Sequence, residues 1–264
     1  MPYMQNASLR LYYELEGSAD APCLVLSNSL GTHLGMWLPQ IPALLKAFRV
    51  LRYDARGHGK SDVPPGPYSM AQLGEDVIAL MDDLGIERAH FCGLSMGGMI
   101  GIWLGAHQAQ RLDRLMLCNT AAYIGPAETW NARIDQVNRE GMAAIVPAVI
   151  DRWFTPAFRA GAPREVGIVR DMLLQMSPAG YTACCAAVRD MDQRGELGGI
   201  TVPVMVVAGT HDQSTPAAEG RLLAKRIPGA RYVELEAAHL SNWEAAEAFT
   251  ASLVGFLQQG KSNG

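Results

Sequence analysis

No window of this 264-residue chain approaches 18 consecutive apolar residues, so no segment reads as a membrane-crossing helix. The stretch from Met1 to Gly17 lacks a basic region followed by an apolar one, and no secretory signal is expected there. An excess of one charge is also missing: 22 Lys and Arg stand against 26 Asp and Glu, with no basic run. That excludes nucleic acid as a partner, because such a face needs clustered cations to neutralise phosphates. The five cysteines, Cys23, Cys92, Cys118, Cys184 and Cys185, are an odd number without C-x-x-C spacing, which argues against a disulfide framework. Cys92 and Cys118 lie in apolar runs and read as reduced core thiols, so the expected address is the cytoplasm. There is no H-E-x-x-H, no cluster of Cys and His, and no G-x-G-x-x-G after the first strand. Neither a metal nor a dinucleotide cofactor is expected.

What is present is the composition of a globular chain, 49% hydrophobic and 18% charged. Its length suits one catalytic domain with an insertion. Leu9 to Leu15 and Cys23 to Ser27, separated by a Gly-Ser-Ala-Asp turn cluster, read as a strand pair. Phe48 to Tyr53 is a further strand. Leu73, Val77, Leu80, Met81 and Leu84 recur at helical spacing, leaving Asp76, Asp82 and Asp83 for solvent, and Gly85 ends that helix. Ala89 to Gly93 reads as a buried strand, Met99 to His107 as a buried helix, and Arg114 to Cys118 as the next strand. Strands at Val202 to Ala208 and Arg231 to Leu235 and a helix at Glu244 to Leu257 resume the alternation. This pattern predicts an α/β fold with a mostly parallel central sheet and helices on both faces. From residue 121 to 199 the texture is helical, with only Ala144 to Ile150 ambiguous. The expected division is a core from 1–120 and 200–264, with 121–199 inserted as a helical cap.

Gly93-Leu94-Ser95-Met96-Gly97 matches G-x-S-x-G between a predicted strand and a predicted helix, the setting of a nucleophile elbow. A serine on so tight a turn takes a strained backbone, and side chains at the flanking positions would strike neighbouring main chain. The helix N-terminus beyond Ser95 favours developing negative charge. A serine hydroxyl needs a base, and the base needs an acid to orient it. In the chain order Ser, acid, His, Asp212 follows one strand and His239 follows the next, both at the carboxyl edge where parallel sheets place their sites. His211 is a rival base, but its neighbour Asp212 has little freedom to orient it toward Ser95, so it reads as a loop residue. For the oxyanion, one donor is the Met96 N–H. The second is expected from the loop Ser27-Asn28-Ser29-Leu30-Gly31-Thr32, with the Leu30 N–H as candidate. Arg56-Gly57-His58-Gly59-Lys60-Ser61 lacks the spacer of a phosphate loop and reads as a tight turn beneath the nucleophile loop.

With this set in place the chain resembles the α/β-hydrolase superfamily over nearly its whole length. Ser27 to Thr32, Met36-Trp37, Tyr53 to Gly59, Gly66-Pro67-Tyr68 and Gly93 to Gly98 carry that resemblance. Trp130 to Ile134, Trp153-Phe154-Thr155 and Gly180-Tyr181 to Cys185 are similar to the bacterial 3-oxoadipate enol-lactonases in particular. The resemblance implies hydrolysis of 3-oxoadipate enol-lactone in the β-ketoadipate pathway of aromatic degradation, without a cofactor.

A small lactone carrying a free carboxylate needs apolar walls and a buried cation. Trp130 and Arg133, three apart on one helical face, are candidates for a wall and a guanidinium, and Trp153 for a second wall. The alternatives are a carboxylesterase, another lactonase or a carbon–carbon bond hydrolase of the same fold and, from a different class, a ligand receptor without catalysis.

Overall fold

Eight strands form a single sheet in the order β1-β2-β4-β3-β5-β6-β7-β8 in the computed structural model, which describes residues 3–6 and 9–259. The strands are β1 (Tyr3–Asn6), β2 (Leu9–Glu16), β3 (Cys23–Ser27), β4 (Arg49–Tyr53), β5 (Ala89–Leu94), β6 (Leu112–Cys118), β7 (Val204–Gly209) and β8 (Arg231–Leu235). The first two pairings are antiparallel, and every ladder from β4 to β8 is parallel. Every residue of β5 and β7 is buried, the pattern of strands covered on both faces.

The helices are α1 (Ile41–Leu44), α2 (Met70–Asp83), α3 (Met96–His107), α4 (Ala127–Glu140), α5 (Val146–Trp153), α6 (Pro156–Gly161), α7 (Pro163–Leu174), α8 (Pro178–Asp190), α9 (Ala217–Arg226), α10 (Ser241–Glu244) and α11 (Ala246–Leu257). Helices α4 to α8 all fall between β6 and β7. Four of them, α5 to α8, begin with proline in the first turn, where its missing N–H costs nothing. The ambiguous segment Ala144 to Ile150 is therefore mostly helix, with Pro147 starting it rather than breaking it.

Three expectations are corrected. β2 and β3 are not paired, because β4 lies between them, antiparallel to β2 and parallel to β3. Asp76 does not face solvent: it is buried on α2 and takes two hydrogen bonds of 2.6 Å from the Arg56 guanidinium. Burial raises the Asp76 carboxyl, with Arg56 opposing. The helix expected from Glu244 to Leu257 starts two residues later, as α11, and Glu244 instead ends the short α10, its carboxylate accepting from the Ala238 N–H at 2.9 Å and from the Thr155 hydroxyl and N–H. Among the described residues no helix is long and apolar enough to cross a membrane.

Candidate active site

Ser95 stands between the end of β5 and the start of α3 with φ 57° and ψ −117°, a conformation an L-residue holds at a cost of about 1–3 kcal/mol. The flanking glycines explain how the turn closes. A Cβ on Gly93 would lie 2.0 Å from the Gly97 carbonyl oxygen, and one on Gly97 would lie 2.2 Å from the Ser27 carbonyl oxygen. The turn is pinned by Ser95 N–H donating to the Cys118 carbonyl at 2.9 Å and by Gly97 N–H donating to the Asn28 carbonyl at 3.0 Å.

Asp212 follows β7 and His239 follows β8, and the two meet in the interior: His239 Nδ1 lies 2.8 Å from Asp212 Oδ2, with both side chains almost wholly buried. The carboxylate is saturated. Oδ1 accepts from the Ser214 and Thr215 N–H groups at 2.8 and 2.9 Å, and Oδ2 also accepts from the Thr215 hydroxyl at 2.8 Å and Asn119 Nδ2 at 3.0 Å. Burial pushes the Asp212 carboxyl up, but the His239 imidazole and these donors outweigh it and hold it below the usual carboxylate value.

Asn119 was not visible as a site residue in the sequence. It sits just past β6 at φ 44°, donates to Asp212 and to the Ala238 carbonyl, and accepts from the Ser241 hydroxyl at 2.6 Å. Its one sequence signal is position, at the carboxyl end of a buried strand.

Ser95, His239, Leu30 and Met96 line one cavity of about 320 Å³, together with Trp130, Arg133 and Trp153 from α4 and α5. In the loop after β3, Ser29 N–H donates to Met36 Sδ, Gly31 N–H to His58 Nε2 and Thr32 N–H to the Ser29 carbonyl. Leu30 N–H has no partner among the described residues, and Met96 N–H opens α3, where helical amides lack internal acceptors. The Arg133 guanidinium stacks 4.9 Å over the Trp130 ring, and the Trp153 ring lies 6.0 Å from the His239 ring.

The cavity also contains residues that the sequence reading overlooked, chiefly Arg152 on α5 and Tyr181 on α8. Neither Arg133 nor Arg152 has an acid three or four residues away to pair with along its helix, but the same holds for Arg159 and Arg170, so the signal is weak. His211 points away: it pairs with Glu236 on an exposed groove and does not line the cavity. The Arg56 to Ser61 turn supports the loop after β3 through His58, and Gly57 packs against Gly180 of α8. Among the described residues no group of three or more His, Cys, Asp or Glu is gathered as a metal would require.

A family model described as alpha/beta hydrolase fold matches residues 22–164. A 3-oxoadipate enol-lactonase of Acinetobacter baylyi is 43% identical over 94% of this chain and 93% of its own length. Among solved structures, an enol-lactonase from Burkholderia xenovorans superposes with a TM-score of 0.96 at 50% identity, covering 98% of this chain and all of that one. A malate-bound thermophilic esterase from Thermogutta terrifontis superposes at 0.90 with 28% identity, over 95% of this chain and 94% of that one.

Proposed function

The chain belongs to the α/β-hydrolase family, and from that premise we propose that it is a serine hydrolase opening 3-oxoadipate enol-lactone to 3-oxoadipate. The observation that carries this reading is the content of one cavity. A strained serine and His239, backed by the buried Asp212 outside it, share the cavity with apolar walls and guanidinium groups, and no carboxylate lines it. A small lactone bearing one carboxylate fits such a site. Likeness to the enol-lactonases across nearly the full chain supports the choice of substrate. Residues 121–199 serve as the cap over a core of 1–120 and 200–264, and the reaction belongs to cytoplasmic aromatic degradation by the β-ketoadipate route.

His239, oriented by Asp212, takes the Ser95 proton as Oγ attacks the lactone carbonyl, and the Leu30 and Met96 N–H groups hold the tetrahedral oxyanion. Collapse breaks the ring C–O bond. The leaving enol oxygen receives the proton from His239, stays tethered to the acyl-enzyme and tautomerises to the ketone. Water, giving its proton to His239, then attacks the acyl carbon. The acid departs as Ser95 recovers its proton. Arg133 holds the substrate carboxylate, and Trp130 and Trp153 wall the ring.

A steady-state assay that follows loss of the conjugated enol-lactone chromophore tests this. Rapid hydrolysis is expected, with Ser95→Ala lowering kcat by roughly 10³-fold or more. A loss below tenfold removes the serine assignment. Turnover of aryl esters alone discards the substrate and keeps the triad, and binding without turnover of either makes the protein a receptor.

A further inference from the structure

The proposed reaction uses one cation, yet the cavity has two. Arg133 on α4 and Arg152 on α5 both line it, while no aspartate or glutamate does. Neither guanidinium forms an ion pair among the described residues; the acid next to Arg152, Asp151, is engaged by Arg159 instead. Burial, and then the like charge of Arg133, hold the Arg152 guanidinium below its ordinary pKa, so the two cations feel one another. Both also act on the buried Tyr181 hydroxyl. Asp151 acts on Arg152 only from the groove outside and forms no ion pair with it, so a single bound carboxylate leaves the partly desolvated cavity with an excess of positive charge, which is costly.

The position of Arg152 is equally specific. Together with Gln213 it lines not only the catalytic cavity but also a larger groove outside, bounded by Thr155, His211 and Glu236. Arg152 therefore stands where the enclosed space meets the exterior. Lactone opening changes the charge of the occupant: a monoanion enters, and hydrolysis of the acyl-enzyme releases a second carboxylate.

We propose that Arg133 and Arg152 make this cavity a dicarboxylate site, with Arg152 the specificity-determining residue at its mouth, so that short linear dicarboxylates bind more tightly than monoanions of the same length. This rests on the enol-lactone reading for its biological meaning, since the favoured ligand is then the reaction's own product and the enzyme is product-inhibited. The charge preference itself does not depend on that reading.

Calorimetric titration at pH 8 with adipate and with adipic acid monoamide, equal in length but carrying one charge fewer, tests it on the wild-type protein, Arg152→Gln and Arg152→Lys. The wild type is expected to bind adipate at least tenfold more tightly than the monoamide. Arg152→Gln should bring that ratio below threefold, and Arg152→Lys should keep most of it, with circular dichroism checking that each variant is folded. Equal binding of the two ligands by the wild type, or an unchanged ratio in Arg152→Gln, overturns the proposal. If Arg152→Gln does not fold, loss of the preference in Arg152→Lys overturns it and retention supports it. A preference that depends on Arg152 in a protein inert toward enol-lactone leaves the dicarboxylate site standing and removes the substrate reading.

Discussion

The His58 imidazole accepts a 3.0 Å hydrogen bond from the Gly31 N–H through Nε2, while its Nδ1 lies 3.2 Å from the Arg56 carbonyl. A histidine outside the cavity that Ser95 lines thereby fixes the amide next to Leu30. The arrangement requires a neutral ring, with Nδ1–H donating and Nε2 accepting.

Acid should therefore weaken this contact and the fold with it. Burial lowers the His58 pKa from 6.5 to about 4. The neutral ring is favoured in the folded state, so its contribution is complete above pH 6.5 and is lost as pH falls toward about 4. The loss is about 3 kcal/mol at most. Urea unfolding at pH 7.5 and 4.5 checks this: His58→Gln, which cannot titrate, should show a smaller drop between the two pH values than the wild type.

Asn119 donates to Asp212, so under the proposed mechanism it is a positioning residue. Asn119→Ala removes a donor to a buried carboxylate, a change worth about 1.5–3 kcal/mol, so kcat should fall by roughly tenfold or more with KM little changed. Its signature is the pH profile of kcat/KM, in which activity should fall more steeply at the acid end because Asp212 loses part of what keeps it ionised. An unmoved profile assigns Asn119 to fold stability alone.

Gly97→Ala should damage the protein out of proportion to the methyl added. The new Cβ meets the Ser27 carbonyl at 2.2 Å, and backbone cannot step aside as a side chain tip does. An overpacking cost of about 1–3 kcal/mol lowers Tm by several degrees in a chain of this size. Gly195→Ala, where a Cβ meets nothing within 4 Å, is the matched control and should melt with the wild type.

Arg133→Ala should raise KM for the enol-lactone by roughly 10- to 100-fold and change kcat by less than about threefold, the pattern for an interaction made equally before and during the chemical step. Equal losses in kcat and kcat/KM would mean that the guanidinium acts on the transition state instead.

The elbow was legible because its steric demands are written in adjacent residues: Gly93 and Gly97 flank Ser95 and clear each other and Ser27. Asp212 and His239 were legible because each follows an apolar run. Asn119 and Glu244 were not, since their partners lie 93 and 89 residues away along the chain and no local spacing marks them. Arg152 escaped for a related reason, as its place at the mouth depends on how α5 meets the loop after β7. The insertion of β4 between β2 and β3 was hidden because a parallel ladder leaves no turn signal between its strands.

Both neighbours of His239 are tied to the inserted helices. Leu240 N–H donates to the Trp153 carbonyl at 3.1 Å, and Glu244 links the Ala238 N–H to Thr155. The inserted segment is for this reason not an exchangeable module. A chimera that grafts residues 121–199 from a relative onto the rest of this chain inherits a foreign partner for the loop that carries His239, and the graft must bring residues 238–244 with it to stay in register.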